Sequence, residues 1–150
     1  MHARDPKTLS AILKNAGLRM TRPRMAVLEM ICQATEPLTI QEIQKRCSVI
    51  GQGINFSTVF RIMQMLEDLH LVCQVPLGRP AVHYELSKPD GHYDHITCRA
   101  CGRVVHIPDP CPVEAYQRTL AQTTGFSNID HSLAFFGICP SCTLSDSSVS

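Results

Sequence analysis

Cys98-Arg-Ala-Cys101 and Cys139-Pro-Ser-Cys142 are two Cys-x-x-Cys knuckles that together supply four thiols. Four thiolates are the number that closes a tetrahedral zinc site. Each knuckle is short enough for both sulfurs to face one ion. Gly102 follows the first, where a tight turn needs a residue without Cβ. One such pair could serve redox chemistry; two at identical spacing point to structural zinc. The elements that must hold them are a strand leading into Cys98 and a segment returning some forty residues later.

The 150 residues suffice for one ordinary domain or two small ones. Hydrophobic residues make up 44% but aromatics only 5%, with no Trp, which suits two small cores, one of them aided by metal. No apolar run approaches a membrane span, and the N-terminus lacks a charged-then-apolar export signal. Eight cysteines without such a signal imply reduced thiols and metal rather than disulfides, hence a cytoplasmic protein. Residues 1–88 carry eleven Lys/Arg against seven Asp/Glu, and residues 89–150 three against six. A basic first half suggests a polyanion partner, and an acidic, His-rich second half suggests cations.

In the first half, Asp5-Pro6 reads as an N-cap with proline at the first helical position, and Gly17 as a stop. Leu9, Ile12, Leu13 and Ala16 make the stripe between them. Thr21-Arg-Pro23 opens a second helix with Ala26, Val27, Met30 and Ile31 inward. Thr39-Ile-Gln-Glu42 is a capping box for a third, running to about Val49. A fourth spans about Phe56 to Leu69, its apolar face Val59, Ile62, Met63, Leu66 and Leu69. Its other face shows Ser57, Phe60, Arg61 and Gln64, a row suited to a major groove. Leu71–Val75, the turn Leu77-Gly-Arg-Pro80 and Val82–Leu86 read as a hairpin. Helices followed by a hairpin make a winged helix. Arg79 at the wing tip and Arg19, Arg22 and Arg24 near the second helix could hold DNA phosphates.

The second half reads as ββαβ: strands over 92–98 and 103–107, a helix from Pro112 to about Thr124 stopped by Gly125, and a strand over 126–136. Residues 87–91 have the composition of a hinge, and the Ser-rich tail 143–150 that of a disordered end. The fold class is therefore α+β, with a winged-helix domain (1–86) and a small α/β domain (92–142).

Assembled, these residues resemble the Fur family of metal-responsive repressors over about residues 8–142. The likeness rests on Ala16-Gly-Leu-Arg-Met-Thr-Arg-Pro-Arg24, Ser57-Thr58-Val-Phe60-Arg61, His92-Tyr-Asp-His-Ile-Thr-Cys-Arg-Ala-Cys-Gly102, and Asp130-His-Ser-Leu133 with Gly137-Ile-Cys-Pro-Ser-Cys142. It implies a cytoplasmic homodimer, with the C-terminal domain as the dimerisation domain, that binds palindromic double-stranded operators when metal-loaded. Arg19 matches the family's minor-groove residue, and Phe60-Arg61 its Tyr-Arg, less the hydroxyl. The resemblance also implies two sites beyond the cysteines. One, regulatory, takes Glu85, His95 and His106. The other takes His92, Asp94, Glu114 and His131.

Pro37 and Tyr93 stand where iron-type members carry histidine, while Cys73 matches a slot from which zinc-sensing members take a ligand. A Cys73/Glu85/His95/His106 set is borderline-soft and favours zinc over Fe(II); His83 is a reserve ligand. The expected function is a zinc-responsive repressor of metal-homeostasis genes. An iron-responsive repressor, a peroxide sensor and a metal-dependent hydrolase are the alternatives. The last lacks a poised nucleophile and an open coordination position. Cys32, Cys47 and Cys111 receive no role beyond packing.

Overall fold

A computed structural model of the chain describes residues 5–88, 94–107, 110–129, 131 and 133–146. It divides into two compact units, Met1–His92 and Tyr93–Ser150. The expected hinge falls mostly on 89–91, and the end of the tail on 147–150; both lie outside the described residues.

The N-terminal unit is four helices and a hairpin. Helix α1 (Pro6–Asn15) starts where Asp5 accepts a hydrogen bond from the Lys7 amide at 3.1 Å, and Gly17 follows it at φ +76°. Only Leu9, Ser10 and Leu13 are buried; Ile12 and Ala16, expected in the stripe, are exposed because the helix lays a narrow strip on its neighbour. Helix α2 (Arg22–Gln33), capped by Thr21, buries Ala26, Val27, Met30 and Ile31 as its periodicity requires. Helix α3 (Ile40–Val49) carries the full capping box: the Glu42 amide donates to Thr39 Oγ1 at 3.2 Å, and the Thr39 amide donates to Glu42 Oε2 at 2.7 Å.

Helix α4 (Phe56–Asp68) is capped by Asn55, which accepts from the Thr58 amide at 2.9 Å. Its buried residues are Val59, Ile62, Met63 and Leu66. These side chains, with Leu13, Val27, Leu28 and Ile43, form one continuous core. Strands β1 (Val72–Val75) and β2 (His83–Leu86) pair antiparallel, Cys73 opposite Glu85 and Val75 opposite His83. Leu38 adds a single bridge to Tyr84 through two amide–carbonyl bonds of 2.9 and 2.8 Å, tying the start of α3 to the wing. Tyr84 and Leu86 join the helical core, so His83 and Glu85 belong to the opposite face of β2.

The C-terminal unit is a three-stranded sheet ordered β4-β3-β5. β3 (Asp94–Cys98) pairs antiparallel with β4 (Val104–Ile107) and parallel with β5 (Ala134–Gly137). Helix α5 (Glu114–Thr124) makes the crossover and ends on Gly125 at φ +74°. The strand expected over 126–136 is shortened to Ala134–Gly137. Gly125 and Asn128 both take left-handed backbone, φ +74° and +53°, which no extended run can contain. His131 thus precedes the strand instead of lying on it. Helix α6 (Pro140–Asp146) reaches into the segment expected to be disordered, with Pro140 at its first position and the Thr143 hydroxyl bonded to the Cys139 carbonyl.

Burial by itself would raise the Glu42 carboxyl. The Thr39 amide and hydroxyl, with His83 and Arg46 nearby, overcome it and hold the group below its ordinary value. A lowered carboxyl contributes stability that is complete above about pH 4.3 and lost as pH falls through the folded value. Thr39→Ala should therefore cost about 1 kcal/mol in urea unfolding. Glu42→Gln, which keeps an acceptor but does not titrate, should flatten the acid limb of the urea midpoint; an unchanged limb would show the box to be electrically silent.

Candidate metal centres and nucleic-acid face

β3 delivers Cys98 to a tight turn in which the Gly102 amide donates to the Cys98 carbonyl at 2.9 Å and Gly102 sits at φ +76°. Residues Cys139 and Cys142 open α6, one turn apart on one face. The two ends meet: the Arg99 amide donates to Gly137 O at 2.8 Å and the Cys139 amide to Cys98 Sγ at 3.3 Å. All four Sγ atoms lie within 4.8 Å of one another, and Cys101 and Cys139 are 3.7 Å apart. A tetrahedron with Zn–S bonds of about 2.3 Å has edges of about 3.8 Å. The cysteines fit that ion.

Without a cation the four thiols conflict. The Cys101 and Cys139 amides lower the Cys98 thiol to about 6, against the burial that opposes it. The neighbouring thiols of Cys139 and Cys101 push Cys142 up to about 12. One group is ready to ionise and another is prevented, a conflict that a dication among them removes.

Each unit contributes one half of the expected regulatory set. On the wing, Cys73 and Glu85 are direct cross-strand partners. Burial, then the Glu85 carboxylate, raises the Cys73 thiol. On the same face His83 is oriented by a 2.8 Å bond from Nδ1 to the Ala81 carbonyl. In the C-terminal unit His95 and His106 are cross-strand partners, their rings 4.5 Å apart between centroids.

Asp94 precedes His95 and so belongs to the other side of β3. There its carboxylate lies within 4.8 Å of Cys111 Sγ and a His131 ring nitrogen. Sequence reasoning placed His92, Asp94, Glu114 and His131 together. The structure brings Asp94 and His131 together with Cys111, while Glu114 opens α5 outside this group and His92 lies outside the described residues. Burial, with the adjacent Asp94 carboxylate, raises the Cys111 thiol against the Val113 and Glu114 amides. Cys111 had no spacing signal: the nearest histidine, His106, is five residues before it on β4 and pairs with His95, and no second cysteine forms a knuckle with it.

On the N-terminal unit the exposed face of α4 is Phe56, Ser57, Phe60, Arg61 and Gln64, with Thr58 half-buried beside them. Phe56 (43% exposed) and Phe60 (38%) stack with centroids 6.3 Å apart, a ridge that α4 holds up to solvent. Arg19 and Arg22 are exposed and Arg24 half-buried; an Arg24 guanidinium nitrogen donates to the Arg19 carbonyl, which steadies the loop entering α2. Arg79 is exposed in the β1–β2 connection.

The model of the Ferric uptake regulator family matches residues 15–136. The chain belongs to that family. Fur-family proteins are metal-responsive transcription regulators that bind DNA as dimers, and they are not enzymes. The ferric uptake regulation protein of Legionella pneumophila is 34% identical over 131 residues, covering 87% of this chain and 95% of its own. The Vibrio cholerae ferric uptake regulator superposes with a TM-score of 0.69 at 30% identity, covering 86% of this chain and 98% of that one. A zinc uptake regulator solved with zinc and DNA gives 0.68 over 95% of both chains; at 20% identity this likeness shows the shared fold alone. Among the described residues, no helix is long and apolar enough to cross a membrane.

Among the described residues of the C-terminal unit, Val104, Cys98 and Cys111 are the buried apolar ones, and α5 buries none. So small a core needs the cysteine cluster. Stripping zinc, or Cys142→Ser, should remove one metal equivalent per chain and melt this unit at a lower temperature while the N-terminal helices persist by circular dichroism. An unchanged melting profile for the zinc-free chain would refute the assignment.

Proposed function

We propose that this chain is a cytoplasmic, homodimeric repressor that binds palindromic operator DNA and answers to zinc. The observation that carries the reading is the division of one ligand set between two pairs: Cys73 facing Glu85 on the wing, His95 facing His106 in the dimerisation unit. Neither pair alone fills a coordination sphere. Cys73, Glu85, His95 and His106 closing on one cation would fix the angle between wing and dimerisation unit, and with it the spacing of the two α4 helices in successive major grooves. Moving such an equilibrium from 1:99 to 99:1 takes roughly 5.5 kcal/mol, within reach of several metal–ligand bonds.

One thiolate, two imidazoles and one carboxylate make a borderline-soft, tetrahedral set, which favours zinc. The second reading, an Fe(II) sensor, draws on the curated relatives, several of which are named ferric uptake regulation proteins. Cys98, Cys101, Cys139 and Cys142 hold a zinc that is structural in either case. A further cation sits on the Asp94 and His131 side of β3, for which His92 and Glu114 are the remaining expected ligands. Dimerisation is favoured by β5, an edge strand whose Phe135 and Phe136 are exposed, as is Ile96 on β3.

On DNA, Arg61, Phe60, Ser57, Thr58 and Gln64 would meet base edges, and Arg19, Arg22, Arg24 and Arg79 the phosphates. Fluorescence anisotropy on a duplex selected from a random pool tests the sensor. Zinc should tighten binding about 10- to 100-fold, Cys73→Ser should abolish that response with folding intact, and Arg61→Ala should cost about 1–3 kcal/mol. Equal affinity for the metal-free and loaded chains would end the proposal, and a response to Fe(II) alone would move it to iron. Phe135→Asp should shift the sedimentation coefficient from dimer to monomer; a persisting dimer would place the interface elsewhere.

A further inference from the structure

We propose that Cys111 is a metal ligand, so that the cation on the Asp94 side of β3 is held by carboxylate, thiolate and imidazole. The proposal rests on the reading above that Asp94 and His131 hold a cation there, and adds the ligand that neither spacing nor family resemblance assigns.

Cys111 Sγ lies 3.2 Å from His131 Nε2. For a tetrahedral zinc with bonds of about 2.3 Å to sulfur and 2.05 Å to nitrogen, the S–N separation is about 3.6 Å. The pair has to open by only a few tenths of an ångström. As it stands, the Cys111 thiol donates to Nε2. When a divalent ion enters, the S–H bond breaks, the sulfur and the imidazole each give a lone pair to the ion, and one proton leaves to solvent.

His131 is prepared for that exchange. Gln117 Nε2 donates to the Ile129 carbonyl, which sets the amide with Oε1 toward the ring. Oε1 then accepts from His131 Nδ1–H at 2.8 Å. With the proton committed to Nδ1, the lone pair is on Nε2, the atom that faces Cys111. This is how a ligating histidine is held by a partner behind it, and Gln117 is therefore a positioning residue. α5 brings Gln117 to the place, and the turn before it brings Cys111. A cysteine merely filling space would have no need of an imidazole with its tautomer fixed from behind.

The consequence is chemical class. A thiolate among the donors shifts the site from Fe(II) and Mn(II) toward zinc, and toward Co(II) as its spectroscopic substitute.

The test uses the full-length chain in a Cys73→Ser background, loaded with one zinc equivalent to occupy the four-cysteine cluster, then titrated with Co(II). A near-ultraviolet sulfur-to-cobalt band of one thiolate should appear, and it should vanish in Cys111→Ser as affinity falls about 10- to 100-fold. Gln117→Leu should weaken cobalt by a similar factor while keeping the band. Cobalt that binds without the band, yet is lost in His131→Ala, would overturn the role of Cys111 and leave the cation site standing. Binding indifferent to both His131→Ala and Asp94→Asn would remove the site and the proposal together. Should Cys111→Ser not fold, Cys111→Asp, which keeps a donor of different chemistry, should bind cobalt without the band; a band in that variant would equally overturn the assignment.

Discussion

The C-terminal unit depends on bringing the end of β3 against the start of α6. A parallel β3–β5 pairing closes a long loop, and loop closure costs entropy that a four-residue strand offsets poorly. Four sulfurs converging from Cys98, Cys101, Cys139 and Cys142 close the same loop at its mouth. Beside that junction the tight turn from Cys98 to Arg103, closed by the Cys98 amide donating to the Arg103 carbonyl, sets the register that carries His95 opposite His106. The N-terminal unit has no such need, since its helices bury Leu13, Val27, Leu28, Ile43, Met63 and Leu66 completely.

This contrast explains the division of labour. A self-sufficient helical core can present Phe56, Phe60 and Arg61 on a rigid element, which is what reading base edges requires. Among the described residues, the C-terminal unit has little apolar core of its own. The residues it leaves exposed, Phe135 and Phe136 among them, are those an edge strand would bury on association.

Local signals were legible in the chain. Asp5-Pro6, Thr21, and Thr39 with Glu42 act within four residues of themselves, and each cap stands where its chemistry places it. The Cys-x-x-Cys spacing was legible for the same reason. What failed was long-range or conformational. The alternation over 126–136 looked extended because apolar periodicity does not register Asn128 in left-handed backbone. The Leu38–Tyr84 bridge is a single pair with no pattern to announce it. Cys111 approaches Asp94 and His131 only after β3, α5 and the return segment have packed, so its neighbours are a tertiary fact.

Asp94 and His95 are consecutive, and they serve opposite sides of the same strand. Inserting or deleting one residue in β3 would not shift a donor along the sheet; it would turn the Asp94 carboxylate and the His95 imidazole to the opposite faces at once. The two faces are thus locked in phase by the pleat: a donor on either one can be exchanged for another, but the alternation between them cannot change without moving both.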